Sequence, residues 1–391
     1  MKVSIKNNQK FQSKYSFHFI MLHRFKTILI FILLLLFFCT NTINAQLFND
    51  LKTVNLIKKN VDCVYNQQFN EAQSIYLKIQ KSYPGHPALY LLKGLQTYWT
   101  NYPMIITTPE RSSFESDLRK CIQLSEKNKD QKYVAEYLQY NLCARGMLLK
   151  FYDDNSLTKD VIPLVTSSYS LLTLSFKFTQ DYTDLYYFTG VYNYYREAYP
   201  NAHPIYKSLL FLFPHGDMKK GLLELQNAAV NAVVLRAESY YLLSWINSNF
   251  ENNYPQAIKY SKLLHDLYPN NLLYTATYIK NLLLIKQYNE AENQIEVSQK
   301  FAVNKYFQTQ LIIFRGILQE KKYHDINKAY QYYTIGMNSI KTYGDYGNEY
   351  AAYAYFGLSR ISYSKGDKNA GRQFREKAKK LTASEEINFD K

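Results

Sequence analysis

The sequence predicts an all-α fold, a solenoid of about eight helical hairpins that is irregular in its middle. Ala257 and Ala291 stand 34 residues apart, a period typical of arrays built from two-helix units. The same local pattern surrounds both and recurs at Ala72: Gln68-Phe69-Asn70-Glu71-Ala72, Asn253-Tyr254-Pro255-Gln256-Ala257 and Gln287-Tyr288-Asn289-Glu290-Ala291, each with an aromatic residue three positions before the alanine. Pro84 and Pro269 follow Ala72 and Ala257 by twelve residues, each after a tyrosine and before a turn-forming Gly or Asn. Glycine and proline are sparse, at 13 and 10, and 47% of residues are hydrophobic, a globular helical composition and not a disordered one.

Small residues place the hairpins in order. Where helix B crosses close to helix A, helix A needs a small residue: Gly94 lies 22 residues after Ala72, Gly316 and Gly357 stand 13 before Ala329 and Ala370, and Ser244 stands 13 before Ala257. A glycine inside a helix costs roughly 1 kcal/mol relative to alanine, so its recurrence implies close helix approach. These anchors put helix pairs near residues 50–83, 87–127, 131–176, 180–231, 235–268, 271–302, 305–341 and 347–382. Residues 46–234 form the divergent part and 235–382 the regular part. No alanine falls 34 residues after Ala72, the stretch Thr107 to Ser113 makes a long turn, and longer helices are expected over Val134 to Phe151 and Ile162 to Phe178. An inserted apolar segment near 200–216, including Ser208 to Pro214, interrupts the repeats as an extra helix or hairpin. It is expected to pack on the solenoid, with a membrane or partner contact, around Leu209 to Phe213, as the other reading. Asp217 is a suitable N-cap for Met218 to Val230. The last helix carries Lys365, Lys368, Arg372, Arg375, Lys377, Lys379 and Lys380 beside Ala370, Phe374, Ala378 and Leu381, the mark of a terminal capping helix with a solvated basic face. The polar tail, 383–391, is expected to fray.

Residues 1–45 read as a secretory signal peptide, cleaved after Ala45, with Met21 as a candidate true start. Basic residues lead into an apolar run of 12 residues from Ile28 to Cys39, short of the roughly 20 that a bilayer span needs. An uncleaved anchor is the alternative. Removing this segment, which holds six basic and no acidic residues, leaves 41 basic against 32 acidic side chains, a net +9. Export argues against nucleic acid as the partner and toward an acidic protein, a polysaccharide or an anionic surface. Cys63, Cys121 and Cys143 remain, an odd and sparse set that is no disulfide framework. Cys121 with Cys143 is the one pair open to bridging; three buried small hydrophobes is the other reading.

The chemistry is thin. No histidines pair at ligand spacing and no Gly-rich phosphate loop or Gly-x-Ser-x-Gly elbow occurs, so no enzyme, metal or cofactor is expected. Aromatic content is the exception, with 39 tyrosines and 23 phenylalanines, and Tyr186, Tyr187, Phe188, Tyr192, Tyr194 and Tyr195 crowding one helix beside Asp184 and Arg196. Tyrosine fills cores in such repeats and also builds binding surfaces.

On these anchors the chain resembles the tetratricopeptide repeat family, over residues 50–100 and 235–382. The resemblance implies a right-handed superhelix whose concave groove, lined by the A helices, holds peptides or partner proteins. With Gly190, Ser244 and Gly94 at the small-residue position, the family register makes Tyr98, Trp99, Tyr187, Tyr194, Tyr195, Tyr241 and Trp245 the expected groove contacts. The signal-peptide end Asn44-Ala45-Gln46, with a Lys-, Asn- and Tyr-rich chain, looks like exported proteins of the Bacteroidota, which implies a periplasmic address, free or against the outer membrane. The expected function is a non-enzymatic scaffold for a protein or peptide partner. The alternative is a glycan or small-ligand binding protein using an aromatic groove, with Asp184 or Arg196 fixing hydroxyls.

Overall fold

The computed structural model describes residues 47–128, 130–202, 213–301, 303–382, 387, 389 and 390. The expected signal peptide and most of the apolar insertion lie outside the described residues. Gln46–Lys391 is one compact unit, an all-α solenoid in which helices pack as consecutive pairs. The pairs are α1 (Leu51–Tyr65) with α2 (Phe69–Ser82), α3 (Pro87–Thr100) with α4 (Arg111–Lys127), α5 (Val134–Asp153) with α6 (Thr158–Ser175), and α7 (Leu185–Ala202) with α8 (Met218–Asn231). They continue as α9 (Arg236–Asn249) with α10 (Tyr254–Leu267), α11 (Leu272–Leu284) with α12 (Tyr288–Val297), α13 (Lys305–Lys321) with α14 (Ile326–Ile340), and α15 (Asn348–Ser364) with α16 (Lys368–Lys379).

One turn geometry generates the repeat. Gln67, Asn252, Lys286, His324 and Gly366 each sit in the left-handed region, at φ 58°, 51°, 60°, 55° and 83°. Five residues later come Ala72, Ala257, Ala291, Ala329 and Gly371, all buried. The second helix of a pair is often started by an acidic or amide N-cap: Asn253, Asp325 and Asp367 accept from the N–H of Gln256, Lys328 and Ala370, satisfying donors that a helix start leaves free. At the small residue the helices come close enough for helix A to bond helix B directly. Asn60 donates to the Ala72 carbonyl at 2.6 Å, Ser244 to that of Ala257 at 2.9 Å and Ser359 to that of Gly371 at 2.7 Å.

Two expectations are corrected. In the last pair the repeat position belongs to Gly371, not Ala370, because the turn residue Gly366 sets the count and leaves Ala370 only half-buried. The tail does not fray where it is described. Ile387 and Phe389 are 1% and 6% exposed, the Phe389 ring lies 5.2 Å from Tyr353, and Asp390 pairs with Arg360 at 3.0 Å. Two apolar residues within a polar stretch carry this anchoring.

The solenoid curves back on itself. Asp62 of α1 accepts from Arg236 at 2.6 Å and from the Tyr268 hydroxyl at 2.7 Å, while Asn271 donates to the Tyr65 carbonyl at 2.8 Å. The end of α3 meets the turn before α15, where the hydroxyls of Tyr98 and Tyr346 lie 3.4 Å apart, and Ser156 bonds Asp345. The first hairpin thus packs on the fifth and sixth, and the concave side becomes an interior. Asp184, at the start of α7, is 1% exposed and accepts from the N–H groups of Val233, Val234 and Leu235 at 2.8 Å each, fixing the entry to α9.

Candidate functional site

A cavity of about 130 Å³ lies at the centre of the closed solenoid. Six hairpins wall it: Tyr65 from α1; Leu91, Leu95, Tyr98 and Trp99 from α3 with Tyr102 after it; Cys143, Met147 and Lys150 from α5; Tyr187 and Phe188 from α7; Glu238 and Tyr241 from α9; and Tyr274 from α11. The rings meet at steep angles, Tyr65 against Trp99 at 66° and Trp99 against Tyr274 at 63°, with centroids 5.4 and 5.7 Å apart. Tyr102 stacks on Trp99 at 26° and 5.2 Å, so one stacked pair and two edge-on rings bound a corner.

Lys150 and Glu238 are the charged residues in this wall. The Lys150 side chain is 46% exposed and reaches the cavity from α5. Its ammonium lies 2.8 and 3.1 Å from the two carboxylate oxygens of Asp154. Burial lowers its affinity for the proton, but Asp154 outweighs burial and the net shift is upward. Glu238 accepts from the Tyr65 hydroxyl at 3.1 Å. Burial raises its pKa, against the opposing pull of Lys150 and of that hydrogen bond. The Tyr274 hydroxyl, on a side chain 1% exposed, is buried without a hydrogen-bond partner. Burial pushes the phenols of Tyr65, Tyr98, Tyr102, Tyr187, Tyr241 and Tyr274 upward, so they act as neutral donors at ordinary pH.

No protein-family model, curated protein or solved structure matches this chain.

Of the seven expected groove contacts, Tyr98, Trp99, Tyr187 and Tyr241 come together at this cavity. The trough they were expected to line is instead closed: Tyr98 and Trp99 are 5% and 4% exposed because the returning chain covers them. Tyr194 is a core residue, 0% exposed, with its backbone N–H pressed against the Gly221 position of α8 and its hydroxyl bonded to Glu251. Tyr195 packs on Phe250 at 5.3 Å. Trp245 lies under the ammonium of Lys280, 5.4 Å from the ring centroid, and Lys280 in turn lies 3.5 Å from Glu349. Asp184 and Arg196, considered for holding hydroxyls, are occupied by backbone: Asp184 as above, and Arg196 donating to the Phe213 carbonyl at 3.0 Å.

Tyr65, Tyr102, Lys150, Glu238 and Tyr274 were not expected at a site. Glu238 stands three residues before Tyr241, hence on the same helix face, a signal available once Tyr241 is taken as inward. Cys63, Cys121 and Cys143 are free and buried, and Cys121 donates to the Tyr140 carbonyl at 3.6 Å. Among the described residues no group of three or more His, Cys, Asp or Glu side chains could hold a metal ion, and no helix is long and apolar enough to cross a membrane.

A second, larger concavity of about 600 Å³ opens between α5, α6 and α7, walled by apolar residues including Leu142, Val165, Leu172, Val191, Tyr195 and Phe213. Nearly all of α6 stays at least partly exposed, with Ile162 and Val165 at 61% and 51%.

Proposed function

We propose that this is an exported, non-enzymatic binding protein of the tetratricopeptide type that takes a small ligand into its central aromatic cavity. The observation that carries the reading is closure: the hydrogen bonds that Asp62 and the Tyr65 carbonyl accept, and the one Tyr98 shares with Tyr346, cross the solenoid and draw the inward rings together around about 130 Å³. A compact, ring-lined space of this size suits a small molecule better than an extended peptide, which needs a long open trough. Export rests on the signal-peptide features of residues 1–45, and the periplasm is the address that they suggest.

Screening a small-molecule library against the purified protein by thermal shift tests the reading. Ligands that raise Tm in the wild type and lose the effect in Tyr241→Leu, which keeps an apolar side chain at the wall, support it. A library without hits, together with crosslinking that captures one defined protein only when Tyr195 and Trp245 are intact, would hand the function to a protein-binding scaffold. The apolar concavity beside α6 is the observation that favours this second reading, since an apolar hollow next to exposed Ile162 and Val165 could receive a partner's side chains.

A further inference from the structure

We infer that the central cavity is an aromatic cage for a small, fully alkylated ammonium ion that carries an oxygen substituent, a choline-like cation. This rests on the small-ligand reading above and names the ligand class. Size comes first. A cavity of about 130 Å³ is close to the roughly 150 Å³ engineered cavity that admits benzene, so the occupant is a single compact group. The walls decide its polarity. Leu91, Leu95 and Val234 offer no hydrogen bonds, and the Tyr65 hydroxyl, the Tyr98 hydroxyl and the Lys150 ammonium are already engaged by Glu238, Tyr346 and Asp154, so a sugar ring with several hydroxyls competes for few remaining partners at a desolvation cost for each one left unpaired. An ammonium with N–H groups meets the same obstacle, whereas a trimethylammonium group has no N–H to satisfy.

Charge decides the sign. Lys150 is matched by Asp154 at 2.8 Å, which leaves the Glu238 carboxyl, accepting from Tyr65, as the other ionisable group of the wall: a cation beside it favours its ionised form and is attracted to it, whereas an anion is repelled. A cation is also attracted to ring faces, most strongly to tryptophan, and the attraction grows in a desolvated site. Tyr65, Trp99, Tyr241 and Tyr274 provide those rings around Glu238. The independent sign of a ligand is the Tyr274 hydroxyl, buried in the cavity wall with no partner in the protein. An oxygen on the ligand satisfies it.

Isothermal titration calorimetry of the purified protein with choline and with its neutral carbon isostere, 3,3-dimethylbutan-1-ol, separates charge from shape. Choline is expected to bind at least about tenfold more tightly than the isostere. Glu238→Gln is expected to remove most of that preference while leaving isostere binding unchanged, and Tyr274→Phe to weaken both ligands. Equal or tighter binding of the isostere overturns the ammonium assignment and leaves the small-ligand reading standing. Failure of both ligands while other library compounds bind does the same, and failure of every compound overturns both. The wild-type comparison decides the matter even if a variant fails to fold.

Discussion

Tyr333 fills a space that two glycines leave open, and this fixes what those glycines tolerate. A Cβ at Gly316 would stand 2.8 Å from the Tyr333 ring, and one at Gly357 would press into it from the other side. The ring is fully buried and its hydroxyl is held by Glu320 at 2.7 Å, so it has nowhere to go. Gly357→Ala is therefore expected to destabilise by about 1–3 kcal/mol, read as a fall in Tm. At Gly371 a Cβ would meet the Tyr363 ring at 2.9 Å, but Tyr363 is 43% exposed and can swing aside. Gly371→Ala is expected to cost less than Gly357→Ala, and a larger loss at Gly371 would refute the argument from ring mobility. Glu238 gives a residue-scale expectation of a different kind. It faces Lys150 from α5 and Asp154 just after that helix, Tyr65 from α1, Tyr187 from α7, its helix neighbour Tyr241, and Tyr274 from α11. Burial raises its folded pKa above the unfolded one. Its contribution is then fully present below the unfolded pKa and is lost as pH rises through the folded value. Thermal melts of wild type and Glu238→Gln at about pH 4 and about pH 8 check the sign: the wild type should lose ground to the variant at the higher pH.

At the scale of the hairpin, the turn carries more information than the alanine that reveals it. The five left-handed turn residues include one glycine, Gly366, and four residues with side chains. Gly366→Ala places a Cβ at φ 83° and is expected to cost roughly 1 kcal/mol. Lys286→Gly, at φ 60° in the equivalent turn, removes the same strain and should be neutral or stabilising; a clear fall in its Tm would show that the Lys286 side chain does something the backbone does not explain. The pairs expected from sequence, such as 235–268 and 305–341, agree with helices at Arg236–Leu267 and Lys305–Ile340, because alanine spacing, caps and turn residues are local and repeat at a fixed interval. Ala370 was misassigned for the converse reason. Two small residues stand side by side there, and only the backbone conformation at Gly366, which residue identity suggests but does not prove, selects Gly371.

Over the whole molecule, what escaped the sequence is closure, and the candidate site with it. Tyr98, Trp99, Tyr187 and Tyr241 were legible as inward-facing through helix register, but nothing local tells that Asp62 meets Arg236 and Tyr268, contacts spanning 174 and 206 residues. Such pairs leave no periodic trace, so Glu238, Lys150 and Tyr274 could not be placed together beforehand. Closure also changes how the molecule should unfold. An open solenoid behaves as a stack in which each repeat feels only its neighbours. Here the first hairpin is a wall of the fifth and sixth. Asp62→Ala removes the acceptor shared by Arg236 and Tyr268 at a part-exposed site, an expected loss of about 1 kcal/mol. Hydrogen exchange locates that loss: protection should fall in α9, α10 and the start of α11 as well as in α1. In a nearest-neighbour stack the same substitution would loosen α2 and α3 and leave α9 untouched, and that outcome would mean the contacts across the centre contribute nothing to the fold. A fall at α9 would instead tie the rigidity of the cavity wall to a hairpin some 174 residues away in the sequence, so that the site exists only when the solenoid is shut.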